Sequence, residues 1–174
     1  MTPRTIGNAR LAAQALTLAE KAALKRAAAE AYYNQVRQTP MTWDFGQIEA
    51  LDDDGVSAGA AGVQTLQMRD DPYNGQDDLK NWLSVGAGAI TALLGSAPTT
   101  LQPLKTTANV WVQTTAAQAL TVLVTGDGVQ LSALQRGYVM LQTFGAIKKA
   151  IADALEAEDE QALDAIDVTA GYPA

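Results

Sequence analysis

The stretch "LSALQRGYVMLQTFGAIKKAIADALEA", residues 131–157, is a long helical pattern that decides the fold class of this chain. Its apolar residues recur at steps of three and four, which is typical of an amphipathic helix that buries one side. We therefore expect a long helix here whose inward ridge forms the main core. The predicted ridge consists of Leu134, Tyr138, Leu141, Phe144, Ile147, Ile151 and Leu155.

A second helix is predicted near the N-terminus, in "LAEKAALKRAAAEAYYNQVRQ", residues 18–38. Thr17 followed by Glu20 is a capping-box pattern, and Pro40 ends the segment. The apolar stripe is narrow, rich in alanine and interrupted by Lys25, so it buries little area of its own. Such a helix usually lies against another helix, which belongs either to the same chain or to a second copy.

Residues 1–40 are therefore interpreted as an N-terminal helical segment and a candidate oligomer contact. Of the adjacent tyrosines Tyr32 and Tyr33, one ring is expected to point away from the stripe, and exposed tyrosines are common at protein interfaces. The candidate interface residues are Leu11, Leu18, Ala22, Ala29, Tyr32, Tyr33 and Val36.

Residues 41–174 are predicted to form one α+β domain. Residues 41–51 and 60–69 favour a hairpin or a pair of short strands around the polar loop "DDDGVSAG", and residues 76–94 favour a helix. A second hairpin is expected at residues 104–112, then a helix capped by Thr114 or Thr115 and a break at Thr125–Gly128. The inward side of the 76–94 helix is predicted to carry Leu79, Leu83, Ile90 and Leu94, with Trp82 beside them.

The predicted fold class is thus α+β and mostly helical: a small helical bundle with one or two short β-hairpins and an N-terminal helix. The chain ends in "EDEQALDAIDVTAGYPA", residues 158–174, which we interpret as a packed cap. Leu163 and Ile166 are expected to face inward there.

Composition narrows the function classes. The chain has 174 residues, a net charge of −7, and neither cysteine nor histidine. Disulfides, thiolate nucleophiles and the usual general base are therefore excluded. The negative charge disfavours nucleic acid as a partner, and residues 85–97 are too short a run to span a membrane. Met1–Arg10 lacks the apolar core of an export signal, so we expect synthesis in a cytoplasm.

Acidic residues are the remaining candidates for chemistry. Asp52, Asp53 and Asp54 could hold a hard cation, but the same residues are favoured in solvated turns. The acids near 44–54 and 70–78 could supply a carboxylate pair for glycan cleavage. With 19 acidic residues in the chain, some fall close together by chance. We therefore predict no catalytic residue, no metal, no cofactor and no enzymatic activity.

Two stretches carry a resemblance. "PLKTTANVWVQTTAAQALTVL", residues 103–123, and "IKKAIADALEAEDEQALDAIDVTAGYP", residues 147–173, resemble a domain of unknown function common in tailed-bacteriophage tail, tail-fibre and baseplate proteins. The matching features are the turn at Thr107–Asn109, the Thr-capped helix after it, and the ending Gly171-Tyr172-Pro173. The family usually has tryptophan where this chain has Tyr172. The likeness extends over residues 17–173, and the family has no established enzymatic activity.

The resemblance implies a structural virion component of a phage tail, placed at the tail tip, at the baseplate or where a fibre attaches. Its partners would be other tail proteins and further copies of itself in a symmetric particle, without nucleic acid or membrane. It would be made in the bacterial host cytoplasm and reside in the virion. The alternative is a non-virion tail-fibre assembly factor. A head–tail connector protein and a tail-associated hydrolase rank below both.

Overall fold

The computed structural model describes residues 16–71 and 76–173, and it has the α+β, mostly helical fold that the sequence predicts. The helices are α1 Leu18–Val36, α2 Asp78–Leu94, α3 Ala116–Leu120, α4 Ala133–Glu156 and α5 Glu160–Ala165, with a π-helical turn at Thr121–Thr125 between α3 and α4. The strands are β1 Met41–Asp44, β2 Glu49–Leu51, β3 Ser57–Ala60, β4 Val63–Leu66, β5 Asp70–Asp71, β6 Gln76–Asp77, β7 Leu104–Lys105 and β8 Trp111–Val112.

The strands form antiparallel pairs, and one pair encloses another, which the sequence did not indicate. β2 and β3 form a hairpin, and β1 pairs with β4 outside it, with Met41 opposite Leu66. The predicted hairpin at residues 104–112 is confirmed as β7–β8. β8 also pairs with β2, where Ala50 lies opposite Val112, so the strand order of this sheet is β3-β2-β8-β7. The inner hairpin β2–β3 and the hairpin β7–β8 thus form one sheet, whereas β1 and β4 form a separate two-stranded sheet.

The larger core lies against these strands. β1 alternates buried and exposed residues, which directs Met41 and Trp43 inward. They meet Leu66, Leu104 and Val112 from the other strands, all fully buried. Complete burial of a side chain of this size contributes about 1.5–3 kcal/mol. This cluster, rather than a ridge on α4, is the main core.

A second core joins α1, α4 and α5. Ala22 and Ala29 of α1 are buried against Ile147 and Ile151 of α4, together with Leu163 of α5. Alanine leaves room for two helix backbones to approach closely, so a narrow seam is enough for this contact. Leu163 faces inward as predicted, and the partly buried Ile166 packs on the same cluster.

The predicted ridge on α4 is wrong in its first half. Leu134, Tyr138 and Leu141 are exposed, whereas Arg136 and Met140 are buried in the same turns. A step of three residues falls about 60° short of a full helical turn. The three such steps from Tyr138 to Ile147 therefore place these two side chains on opposite sides of the helix, and only Ile147 faces the core.

The predicted inward side of α2 is wrong for three of its four residues. Leu83, Ile90 and Leu94 are exposed. The buried positions are Gly86 and Ala89, and the cluster around Ala89 includes Ala116 and Ala119 of α3. Small residues allow the two helices to lie close together, so the bulky residues of α2 are left outside. Leu79 and Trp82 do pack against the larger core, as expected.

Helix ends follow the sequence closely. Thr17, Thr115 and Ser132 each cap a helix through a complete capping box. The predicted break at Thr125–Gly128 separates the π-helical turn from α4. Gly126 has φ +70°, and a Cβ there would lie 2.8 Å from the carbonyl oxygen of Gln130. Both observations require glycine at this position.

Candidate interaction surface

The alanine seam of α1 is covered by the protein's own helices. Ala22 and Ala29 are buried against α4 and α5, and Leu18 is partly buried in the same cluster. Of the two partners that the sequence left open, the structure shows the one in the same chain. A second copy could reach these alanines only if α1 left α4. Val36 is half-buried at the end of the helix, and Leu11 lies outside the described residues.

Both candidate tyrosines contact aromatic rings of the same chain. Tyr32 meets Tyr172 edge to face, with 5.4 Å between ring centroids. Tyr33 stacks on Phe144 at 4.6 Å, with 6° between the ring planes. The expectation of an exposed ring is therefore wrong, because Tyr172 of the C-terminal segment covers Tyr32 and Phe144 of α4 covers Tyr33. Tyr172 closes the end of this helical cluster.

Two lysines attach α1 to α5. Lys25 donates to the backbone carbonyls of Leu163 and Asp164, at 2.6 and 2.8 Å. Lys21 forms an ion pair with Glu160. The sequence indicated Lys25 as an interruption of the apolar stripe, whereas it binds the end of a neighbouring helix. Both contacts strengthen the attachment of α1 to its own chain.

The first half of α4 presents an apolar surface to solvent. We define the α4 outer face as Leu134, Tyr138 and Leu141 of α4 together with Leu131, which lies just before the helix; all four are exposed, Tyr138 by 60%. Isolated exposed apolar residues are common, but a stripe of large ones along a helix is typical of a contact surface. Sequence reasoning found three of these residues and assigned them to the core.

A comparable stripe lies on α2. The α2 outer face comprises Leu83, Ile90 and Leu94, spaced by seven and four residues and exposed by 71, 43 and 84%. This spacing places the three side chains on one side of the helix. The chain therefore carries large apolar side chains on both sides of two helices. Within residues 16–71 and 76–173, the buried clusters lie on the other side of each helix.

The acidic loop is an ordered turn. The Asp52 carboxylate accepts hydrogen bonds from the backbone amides of Asp54 and Val56, at 3.0 and 2.8 Å. Asp53 accepts from Lys105 Nζ at 2.8 Å and from the indole nitrogen of Trp111 at 3.0 Å. These hydrogen bonds, that of Lys105 first, lower the pKa of Asp53. The loop therefore holds Trp111 at the surface, although a core position is more usual for tryptophan.

Two further acids considered for glycan cleavage, Asp44 and Asp78, also have local partners. Asp44 accepts from the backbone amide of Gly46 at 2.9 Å, and Asp78 forms an ion pair with Arg69 at 2.7 Å. Among residues 16–71 and 76–173, no group of three or more acidic side chains is arranged to hold a metal ion. The arrangement of these acids serves turns and ion pairs.

No protein-family model matches the chain, and no curated protein or solved structure is significantly similar to it. Within the part of the chain that the structure describes, no helix has the length and hydropathy needed to cross a bilayer. The apolar outer faces of α4 and α2 are therefore the best-defined candidates for a functional surface.

Proposed function

We propose that the protein is a structural component of a bacteriophage tail that acts through protein–protein contacts, at the tail tip, the baseplate or the attachment point of a fibre. Two observations support the proposal: the resemblance of residues 103–123 and 147–173, and the exposed apolar residues on α4 and α2. Those two stretches include the β7–β8 hairpin, α3, the second half of α4, α5 and the closing Tyr172.

The observation that carries the proposal is the α4 outer face. Its large side chains are exposed in the part of the chain that the structure describes, and a contact with another protein would remove them from water. Tyr138 is also of a residue type enriched at interfaces. The partners would be other tail proteins or further copies of this chain. In a symmetric particle each contact repeats, so modest contacts add up to strong retention.

Intramolecular packing supports a rigid role. α1 is held by the alanine seam, by Lys25 and by two aromatic contacts, all involving the C-terminal third of the chain. A helix fixed at several points does not need to order itself when the protein binds. Binding therefore costs less conformational entropy than it would for a mobile segment.

The test is quantitative mass spectrometry of purified particles of the phage that encodes this chain. A tail component is expected at a fixed, small-integer ratio to the major tail proteins, and it should remain after density-gradient purification. A host cytoplasmic protein measured in the same samples gives the level of carry-over. Absence from particles, with abundance in infected cells, would overturn the proposal and favour the tail-fibre assembly factor.

A further inference from the structure

A cleft of about 420 Å³ lies between the first turns of α2 and the β7–β8 hairpin. Its volume is within the range of small-molecule sites, which is about 300–1,000 Å³. It is distinct from both outer faces. The residues that line the cleft include Asn81, Trp82, Lys105, Thr106, Asn109 and Trp111.

The cleft contains a buried hydroxyl group that lacks a hydrogen bond. Thr106 is only 4% exposed, and its Oγ1 has no partner among the described residues. A buried polar atom without a partner is unfavourable, so such atoms are rare and each requires an explanation, such as a group that binds there. A bound hydroxyl or amide group would satisfy this oxygen as donor or acceptor.

Two tryptophans that line the same cleft, Trp82 and Trp111, are held in position by hydrogen bonds. The indole N–H of Trp82 donates to the backbone carbonyl of Gln67 at 2.7 Å. That of Trp111 donates to Asp53, and Lys105 Nζ lies 5.0 Å from the Trp111 ring centroid. Trp111 remains 37% exposed. Because their N–H groups are engaged, both indoles offer ring surface in a fixed orientation, although Lys105 occupies one face of the Trp111 ring.

The charges around the cleft compensate each other. Arg69 and Asp78 form a bidentate pair with distances of 2.7 and 3.2 Å. Lys105 pairs with Asp53 at 2.8 Å. An anionic ligand would have to compete with a carboxylate for each of these cations. The cleft therefore favours an uncharged ligand.

The backbone of the cleft wall is poorly suited to an added β-strand. β7 is an edge strand of only two residues, preceded by Pro103, which has no N–H to donate. The amide of Thr106 donates to Val110 at 2.9 Å, and that of Thr107 donates to Thr65 at 2.8 Å. Extended peptides that add to a sheet edge depend on such amides. Recognition here rests on side chains instead.

From these observations we propose that the cleft binds a neutral saccharide of one or two sugar rings. A sugar ring has an apolar C–H face that suits an indole surface, and hydroxyl groups that both donate and accept. The amides of Asn81 and Asn109 and the Thr106 hydroxyl have the same dual capacity. This inference does not depend on the role proposed above, because it concerns a different surface.

The first experiment is a titration of the full chain with N-acetylglucosamine, chitobiose, maltose and lactose, followed by screening on an array of neutral glycans. The indole N–H signals of Trp82 and Trp111 should shift saturably in NMR spectra, at millimolar concentrations. Trp43 is buried and does not line the cleft, so it is the internal control whose signal should move least. Glucuronate and glucose 6-phosphate should bind more weakly than their neutral counterparts.

Variants then assign the binding to the cleft. Thr106→Val keeps the shape of the side chain and removes the hydroxyl, and Asn81→Ala removes one amide. Each should weaken binding by about 3- to 10-fold, while Asn34→Ala on α1 leaves it unchanged. Thermal unfolding checks that all three variants fold. Absence of saturable binding to any neutral glycan, or equal affinity in Thr106→Val, overturns the proposal, as does stronger binding of a peptide array.

Discussion

Lys25 of α1 donates a hydrogen bond from Nζ to the backbone carbonyl of Leu163, at 2.6 Å. Leu163 is fully buried, and α5 ends two residues later at Ala165. The last carbonyls of a helix lack the usual partners four residues further on and carry partial negative charge. The carbonyl of Leu163 accepts a bond of 3.3 Å from the amide of Ile166 and has room for a second donor. An ammonium group is a favourable partner for such carbonyls. This lysine therefore binds the end of α5 from a helix about 140 residues away in sequence.

Replacement of Lys25 by methionine tests this contact. Methionine keeps most of the apolar stem and removes the ammonium group, so we expect a loss of about 1–2 kcal/mol in the free energy of unfolding. Urea denaturation measures it. Arg26→Met changes an exposed neighbour and should alter stability by less than about 0.5 kcal/mol. Equal stability of the two variants would contradict the role assigned to Lys25.

The alanine seam gives a second prediction. Ala29 is fully buried between α1 and α4, whereas Ala28 is exposed on the same helix. Ala29→Leu forces a larger side chain into a close helix contact and should cost about 1–3 kcal/mol. Ala28→Leu has the same change in composition and should be nearly neutral. Thermal unfolding of the two variants compares them directly. If the two midpoints are lowered equally, the seam is not packed as described.

Tyr172 gives a dependence on alkaline pH. Burial, with Tyr33 and Tyr32 nearby, raises the pKa of Tyr172 above its ordinary value. An unfolded tyrosine titrates near about 10. Above that pH the unfolded state releases this proton more readily than the folded state, so the free energy of unfolding falls as pH rises. Below about pH 9 the group is neutral in both states and contributes no pH dependence.

Tyr172→Phe should therefore reduce the loss of stability between about pH 9 and 11, as measured by urea denaturation. At pH 7 it should be at least as stable as the wild type, because within residues 16–71 and 76–173 the Tyr172 hydroxyl has no hydrogen-bond partner. Tyr138→Phe, on the exposed α4 outer face, is the matched control and should follow the wild type. Identical pH profiles for Tyr172→Phe and the wild type would contradict the prediction.

Local sequence signals predicted the elements of this fold well. Capping boxes at Thr17 and Thr115 and the break before Gly126 mark helix ends through hydrogen bonds or backbone angles that involve only neighbouring residues. The β7–β8 hairpin is equally local. Such features depend on a few adjacent residues, and therefore the sequence contains the information directly.

The sequence did not determine which side of each helix is buried, because that depends on the elements that pack against it in the tertiary structure. In α4 the apolar residues occupy more than one side, so periodicity could not choose between Tyr138 and Met140. In α2 the buried residues are Gly86 and Ala89, because Ala116 and Ala119 of α3 allow a close contact between the two helices. Hydropathy ranks large residues as more buried than small ones, and that ranking fails where backbone approach decides the packing.

The surface sites were harder to predict still. Their residues have partners that are distant in sequence. Lys25 binds Leu163, Trp111 binds Asp53, and Thr106 faces a cleft that the first turns of α2 complete. Pairing of β2 with β8 brings the acidic loop beside the β7–β8 hairpin. A polar loop and a hairpin can each be read from the sequence. Their contact requires the tertiary structure.

The α4 outer face leads to the prediction that bears most on function. Leu134 and Leu141 are 57 and 54% exposed, so Leu134→Gln combined with Leu141→Gln should change the free energy of unfolding by less than about 1 kcal/mol in total. If the protein has the proposed tail role and the α4 outer face is its contact surface, loss of two large apolar side chains should nevertheless lower retention in particles, because interface energy concentrates in a few buried anchors. Mass spectrometry of particles that carry the variant measures the ratio to the major tail proteins. Leu24→Gln removes a comparably exposed leucine, 59%, from α1 and should leave that ratio unchanged. If the double variant is retained as well as Leu24→Gln, the α4 outer face is not the contact that holds the protein in the tail.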